Sequence, residues 1–258
     1  MSDDLLALAA DVAHEAGAGL REAFGRLGDL AISAKSTPTD LVSDADVATE
    51  RLIRARLEAA RPDDAILGEE GDDRPGTSGL RWVVDPLDGT VNFLFGIPLW
   101  CVSVACEDAD GAVAGVVYDP MRDETWAAER DGPATLDGVP LAAPARDGGL
   151  ARALVATGFG YDAGVREAQA RVLARLLPQI RDVRRLGAAA LDLAWAAAGR
   201  VDAYFERGVQ HWDIAAGALI CARAGLAVHE LPPAPPAAAG VLVAPPAIAG
   251  ELLALVTD

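Results

Sequence analysis

The stretch Arg81-Trp-Val-Val-Asp85-Pro-Leu-Asp88-Gly-Thr90-Val-Asn-Phe93 sets an apolar strand signal directly against two carboxylates. A buried carboxylate is costly unless something positive or hydrogen-bonding compensates it. The nature of that compensation decides both fold and chemistry. Pro86 lacks a backbone donor and fixes its own φ, while Gly89 permits a sharp turn. Together they would swing Asp88 back toward the site of Asp85. A second apolar run, Ala65-Ile-Leu-Gly-Glu69-Glu70, also ends in acids, so Glu69, Glu70, Asp85 and Asp88 can converge at strand ends. Oxygen donors without a nearby His or Cys select hard cations, Mg2+ before Zn2+. Several grouped acids point to more than one ion, and paired ions about 3.5–4 Å apart are typical of phosphoester hydrolysis.

Outward from this motif the periodicity alternates between helix and strand. Residues 3–28 read as a helix, followed by a turn at Lys35–Asp40. Ser43-Asp-Ala-Asp46 has the form of a helix start, and the helix runs to about Ala60. Residues 99–141 read as an antiparallel meander. From Ala151 strands and helices alternate: Ala153–Gly158, 164–177, a short strand near Val183, 188–198, Val201–Glu206, 212–224, Gly240–Ala244 and 246–256. The expectation is a layered α/β sandwich. It forms a single domain over 1–258, with subdomains of about 1–145 and 146–258 meeting at a seam near 142–150.

Composition narrows the function. The chain has 258 residues, 52% of them hydrophobic, which supplies ample core. A formal charge of −17 discourages nucleic acid as a partner, because phosphate backbones seek positive surfaces. A small anionic substrate would require metal ions to reverse the local field. Cys101, Cys106 and Cys221 lack a metal-site spacing and read as core residues in a reducing compartment. The acidic N-terminus and the lack of a long charge-free apolar run give a soluble, cytoplasmic expectation without membrane association. His14, His211, His229 and the five tryptophans read as structural.

Asp213 follows Trp212 at the start of an apolar helical run. On its own, helix capping is the default role for Asp213, as it is for Asp44 and Asp46. Beside the strand-end acids, Asp213 also becomes a candidate ligand. Gly68–Glu70, Trp82–Phe93 and Trp212–Ala218 occur in order, and with Lys35–Asp46, Arg184–Ala194 and Val201–Asp213 they resemble the inositol monophosphatase family along nearly the whole chain.

That resemblance implies an αβαβα fold and a Mg2+-dependent, lithium-sensitive phosphatase in which a metal-activated water attacks phosphorus. It implies that Glu69, Asp85 and the Leu87 carbonyl hold one ion, and that Asp85, Asp88 and Asp213 hold a second. A weaker third ion would sit near Glu69 and Glu70. Thr90, paired with Glu69 and supported by Asp46, would orient the water. Backbone N–H groups around Gly89 and Thr90 would receive phosphate oxygens, next to Asp88. Glu206, with Gly187, Ala188 and Ala189, would line the pocket for inositol hydroxyls; without the resemblance, Glu206 reads equally as an exposed strand-end acid. Val91 and Ala188 depart from common family residues and bear on substrate choice. The resemblance also implies a homodimer, to which the meander carrying Trp100 and Trp126 contributes.

Inositol 1-phosphate is the first expected substrate. Histidinol phosphate is the nearest alternative, followed by fructose 1,6-bisphosphate and phosphorylated adenosine nucleotides. A haloacid-dehalogenase nucleophile is disfavoured by the extra residue between Asp85 and Asp88. A non-catalytic metal-binding interaction protein, the reading from a different class, would be expected to have lost some of these acids.

Overall fold

The alternation of side chains along the strands sorts the apolar residues into three cores, which stack the elements into five layers. The computed structural model describes residues 2–27, 32–34, 41–143 and 148–257. The turn at Lys35–Asp40 and part of the expected seam lie outside the described residues. The first layer is α1 (Ser2–Phe24) and α2 (Asp44–Ala60), with a short antiparallel pair, β1 (Ile32–Ala34) and β2 (Leu41–Ser43), between them in sequence. The capping box at the start of α2 is formed: the Asp46 carboxylate accepts from the Ser43 backbone N–H at 2.9 Å.

The second layer is a sheet of β3 (Ala65–Gly68), β4 (Arg81–Asp88), β5 (Cys101–Asp108), β6 (Gly111–Asp119), β7 (Glu124–Glu129), β8 (Thr135–Leu136) and β9 (Val139–Pro140), in that order. β3 runs parallel to β4 and the remainder is the expected meander. The short helix α3 (Thr90–Leu94) follows β4. The fourth layer is a second sheet of β10 (Leu154–Thr157), β11 (Asp182–Arg184), β12 (Ala203–Arg207), β13 (Ala227–Leu231) and β14 (Gly240–Ala244), in the order β11-β10-β12-β14-β13. Between the sheets lie α5 (Ala189–Ala197) and α6 (His211–Arg223), while α4 (Ala163–Leu176) and α7 (Pro246–Thr257) cover the outer face.

Each core draws one side of each strand, as period-two alternation requires. Trp82, Val84, Val102, Val104 and Val116 pack against Leu5, Ala9, Val12 and Ile53 of the outer helices. Val83, Cys101, Ala105 and Val117 face α5 and α6, whose other side meets Tyr204, Val241 and Val243 of the second sheet. Val155, Ala203, Phe205 and Leu242 pack on Leu176, Ile248 and Leu252. The layers therefore read αβαβα, as the resemblance implied.

The structure departs from the sequence reading in β4. The strand continues through the acids to Asp88 instead of ending before them. In a regular strand, residues three apart point to opposite faces. Here Asp85 pairs with Ser103 and Asp88 with Cys101, so three steps on β4 match two on β5. This bulge, which contains Pro86 with its missing N–H, restores parity. Leu87 turns to the outer-helix core, while Asp85 and Asp88 share the face toward α5 and α6.

The cysteines are free and buried. Trp100 and Trp126 are wholly buried within the chain, Trp100 against Phe24 and Phe93 and Trp126 beneath the Arg200 guanidinium. Among the described residues, no helix is long and apolar enough to cross a membrane.

Candidate active site

A cavity of about 490 Å3 opens between the end of β4, the start of α5, the start of α6 and the loop after β12. Glu69, Asp85, Asp88 and Asp213 share its wall. The parallel pairing of Gly68 with Val84 places Glu69, the next residue, alongside Asp85. The bulge brings in Asp88, and α6, packed on the same face of the sheet, brings Asp213 from the far end of the sequence.

Burial and neighbouring acids raise the proton affinity of the three aspartates. Burial, followed by Glu69, Asp88 and Asp213, holds Asp85 well above the usual carboxylate range. Burial pushes Asp88 up to about 6 against the opposing pull of the Ala190 and Ala189 N–H groups, with Glu69 adding to the rise. Asp213 is also pushed well above its ordinary value, by burial first and then by Asp88. Each of the three aspartates has one oxygen occupied by a backbone donor. Asp85 Oδ1 accepts from Leu87 N at 3.0 Å, Asp88 Oδ2 from Ala190 N at 2.6 Å, and Asp213 Oδ2 from Gln210 N at 2.6 Å. Asp88 thus supplies the cap that Ala188 cannot give to α5.

Thr90 and Asp46 meet behind this wall. Thr90 Oγ1 donates to Asp46 Oδ1 at 2.9 Å, with the Leu87 carbonyl at 3.0 Å as its second acceptor. Asp46 is fully buried, and its other oxygen accepts from Ser43, so one carboxylate caps α2 and fixes a hydroxyl on the cavity wall. Gly89, at φ 95°, makes the turn into α3 in the left-handed region, where a side chain would be strained.

The family model described as "Inositol monophosphatase family" matches residues 1–257. The chain is 47% identical to the inositol-1-monophosphatase SuhB of Mycobacterium tuberculosis, covering 97% of this chain and 92% of that one. Among solved structures, the SuhB protein of Bartonella henselae superposes with a TM-score of 0.91 at 33% identity, covering 99% of each chain. The Thermotoga maritima IMPase gives 0.86 at 27% identity, covering 98% of this chain and 96% of that one.

The chain belongs to the inositol monophosphatase family.

As a member of that family it is a phosphoric monoester hydrolase. Most of the residues expected at the site line the cavity of this inositol monophosphatase homologue: Glu69, Asp85, Leu87, Asp88, Gly89 and Thr90, then Gly187, Ala188, Ala189, Glu206 and Asp213. Glu70 is not on the wall; its backbone N–H donates to Glu50 Oε2 at 2.7 Å. Asp46 stands one hydrogen bond behind it. Asp46 and Asp213 both act in helix capping boxes, and a carboxylate has a second oxygen to offer: that of Asp46 accepts from Thr90, and Asp213 lines the cavity.

The donor set suits a hard divalent cation, the family being generally metal-dependent: Glu69, Asp85, Asp88 and Asp213 line one cavity, and the Cys101 thiol, which donates to Asp88 Oδ2 at 3.7 Å, is pushed well above its ordinary range by burial and so stays protonated. Among the described residues, no group of three or more His, Cys, Asp or Glu side chains stands close enough together to hold an ion as placed.

Glu206 lines the same cavity from the end of β12. Its Oε2 accepts from Tyr204 at 2.8 Å, and burial pushes it up to about 7, offset by the Tyr204 hydrogen bond and by Arg185. A methyl group at Gly158 would overlap its carboxylate, so the bare glycine is what admits it.

Sequence reasoning missed three charged residues. Glu50, buried on α2, holds the Glu70 N–H and the Arg54 guanidinium at 2.7 Å each, and Gly68 and Gly71 leave it room. Asp192 on α5 is 1% exposed, and neither carboxyl oxygen has a hydrogen-bond partner among the described residues. Burial, then Glu206 and Asp88, push it well above the carboxylate range. Its only sequence signal is a lone acid inside the apolar run Ala188–Ala197. Arg185 reaches the cavity from the loop before α5, and the paired arginines before Gly187 were its signal.

Proposed function

We propose that this phosphatase hydrolyses small phosphomonoesters of polyols with the aid of Mg2+, inositol 1-phosphate foremost. The observation that carries the reading is the gathering of Glu69, Asp85, Asp88 and Asp213 around one cavity that Glu206 also lines. Glu69, Asp85, the Leu87 carbonyl, Asp88 and Asp213 would hold two ions, with Glu70 serving a third. Bound there, Mg2+ would neutralise phosphoryl oxygens and make a water more acidic.

The chain's own groups do the positioning. Thr90 commits its proton to Asp46, so its lone pairs are left to accept from the attacking water. Glu69, on the same wall as Thr90, would take up that water's proton. The N–H groups at Gly89 and Thr90 would receive phosphoryl oxygens, and Glu206 would accept from hydroxyls of the leaving alcohol. Gly187, Ala188 and Ala189, with small side chains or none, leave space for a ring in the cavity. Lithium sensitivity and a homodimer accompany the reading as family expectations.

The test is phosphate release from inositol 1-phosphate, histidinol phosphate, fructose 1,6-bisphosphate and adenosine 3′,5′-bisphosphate. Each is run with Mg2+, with EDTA, and for Asp88→Asn beside the wild type. Turnover should favour inositol 1-phosphate, vanish in EDTA and fall at least roughly 100-fold in the variant, the scale on which removal of a group that stabilises transition-state charge is felt. Activity that survives both treatments would overturn the reading, and a strong preference for another substrate would reassign it.

A further inference from the structure

Two arginines line the cavity, and they differ in commitment. Arg207 is buried, and its guanidinium is hydrogen-bonded to the Pro232 carbonyl. Arg185 is exposed and lines the cavity, and it makes no ion pair or hydrogen bond to another described residue. Its backbone is held firmly all the same. Asn92 Nδ2 donates to the carbonyls of Leu186 and Leu99, at 2.7 Å each, and so staples the loop to α3. The Arg185 guanidinium folds over Gly187, whose φ of 91° and missing Cβ leave it that space.

Arg185 and Glu206 line the same cavity, and the Arg185 charge is felt at both Glu206 and Asp192. Yet Arg185 and Glu206 do not close into an ion pair. The cavity therefore presents a planar donor and a carboxylate acceptor side by side with a gap between them. Two adjacent hydroxyls fill such a gap: one donates to the carboxylate while its neighbour accepts from the guanidinium. A second anionic group on the substrate fits less well, since it would face Glu206 as well as Arg185.

We propose that Arg185 is a specificity-determining residue that, with Glu206, reads a vicinal diol on the alcohol portion of the substrate. The proposal rests on the phosphatase reading and adds to it which alcohols the site prefers. Arg185 takes no part in water activation, so it governs substrate affinity and leaves the chemical step alone.

The experiment compares Arg185→Gln and Arg185→Lys with the wild type on inositol 1-phosphate, which carries vicinal diols, and on 4-nitrophenyl phosphate, which carries none. A separate titration of free myo-inositol, followed by saturation-transfer NMR in EDTA, needs neither metal nor turnover. Arg185→Gln should raise KM for inositol 1-phosphate roughly ten-fold, in line with the loss of one charge-assisted hydrogen bond, with kcat little changed. The 4-nitrophenyl phosphate parameters should stay put, myo-inositol affinity should fall with the KM effect, and Arg185→Lys should recover part of both.

Equal losses on the two esters would make Arg185 a general anion attractor and overturn the diol reading. Wild-type activity with an indifferent Arg185→Gln would overturn it too, while leaving the phosphatase intact. A wild type that cleaves neither ester but binds myo-inositol through Arg185 would sink the phosphatase reading alone. Silence in every arm would sink both.

Discussion

Replacing Asp192 by asparagine should make this protein more stable, and increasingly so as the pH rises. The side chain is 1% exposed, has no hydrogen-bond partner among the described residues, and is pushed well above the carboxylate range by burial, then by Glu206 and Asp88. In the unfolded chain it would titrate near the ordinary aspartate value of about 3.9. Between that value and its folded one, the native state keeps a proton that the unfolded state has released. Stability then falls as pH rises, with a slope of about 1.4 kcal/mol per pH unit. Asparagine has nearly the same shape and does not titrate, so the variant escapes this slope. From pH 5 to pH 6 the variant should gain about 1.4 kcal/mol on the wild type, on the scale of roughly 3–6 °C in melting temperature for a chain of this size. Urea unfolding at both pH values, with EDTA present throughout, reads the difference directly. Titrations at the other acids are common to the two proteins and largely cancel. A stability gap that stays flat between pH 5 and 6 would mean that Asp192 is ionised in the fold, and the reasoning would fail.

Other perturbations follow from the same packing. Gly158→Ala puts a methyl onto the Glu206 carboxylate and should cost about 1–3 kcal/mol of stability. It should also raise KM for inositol 1-phosphate while sparing 4-nitrophenyl phosphate; steady-state kinetics on both esters check this. Asp64→Asn acts in the opposite pH direction to Asp192→Asn. Asp64 is buried, which raises its pKa, but hydrogen bonds from Arg61, Ser78 and Trp82 outweigh burial and hold it below the ordinary value. Its stabilisation is thus present above the unfolded pKa and lost as pH falls through the lower, folded one. Asp64→Asn should cost roughly 2 kcal/mol at pH 7, with the gap closing below about pH 4. Thermal melts at pH 7 and pH 3 decide it, and a gap that widens in acid would contradict the assignment.

The cavity acids were legible because their signal is local. An apolar run that stops at Asp85 and Asp88, and another at Glu69, states within a dozen residues that charge is being carried into a core. The helix start at Ser43 was equally local, since a cap reaches only three residues along the chain, and Asp213 was read as a cap although the N-cap position itself, Gln210, carried no such signal. The strands absent from the sequence reading are Ile32–Ala34 and Leu41–Ser43, each three residues long and too short for a period-two alternation to show.

Sequence by itself determined the alternation of helix and strand, the identity of the acids and their likeness to a family, because periodicity and short motifs are properties of neighbours. Tertiary structure decided the rest. Asp85 and Asp88 face the same way only because β4 bulges against β5, a matter of register between two strands. Glu50 holds the Glu70 N–H, Asp192 lies buried within reach of the fields of Glu206 and Asp88, and Arg185 lines the same cavity as Glu206. None of these pairings follows a helical or strand period. Each is set where layers stack, and the energy of a buried charge depends on what surrounds it in space, not on what precedes it in the chain.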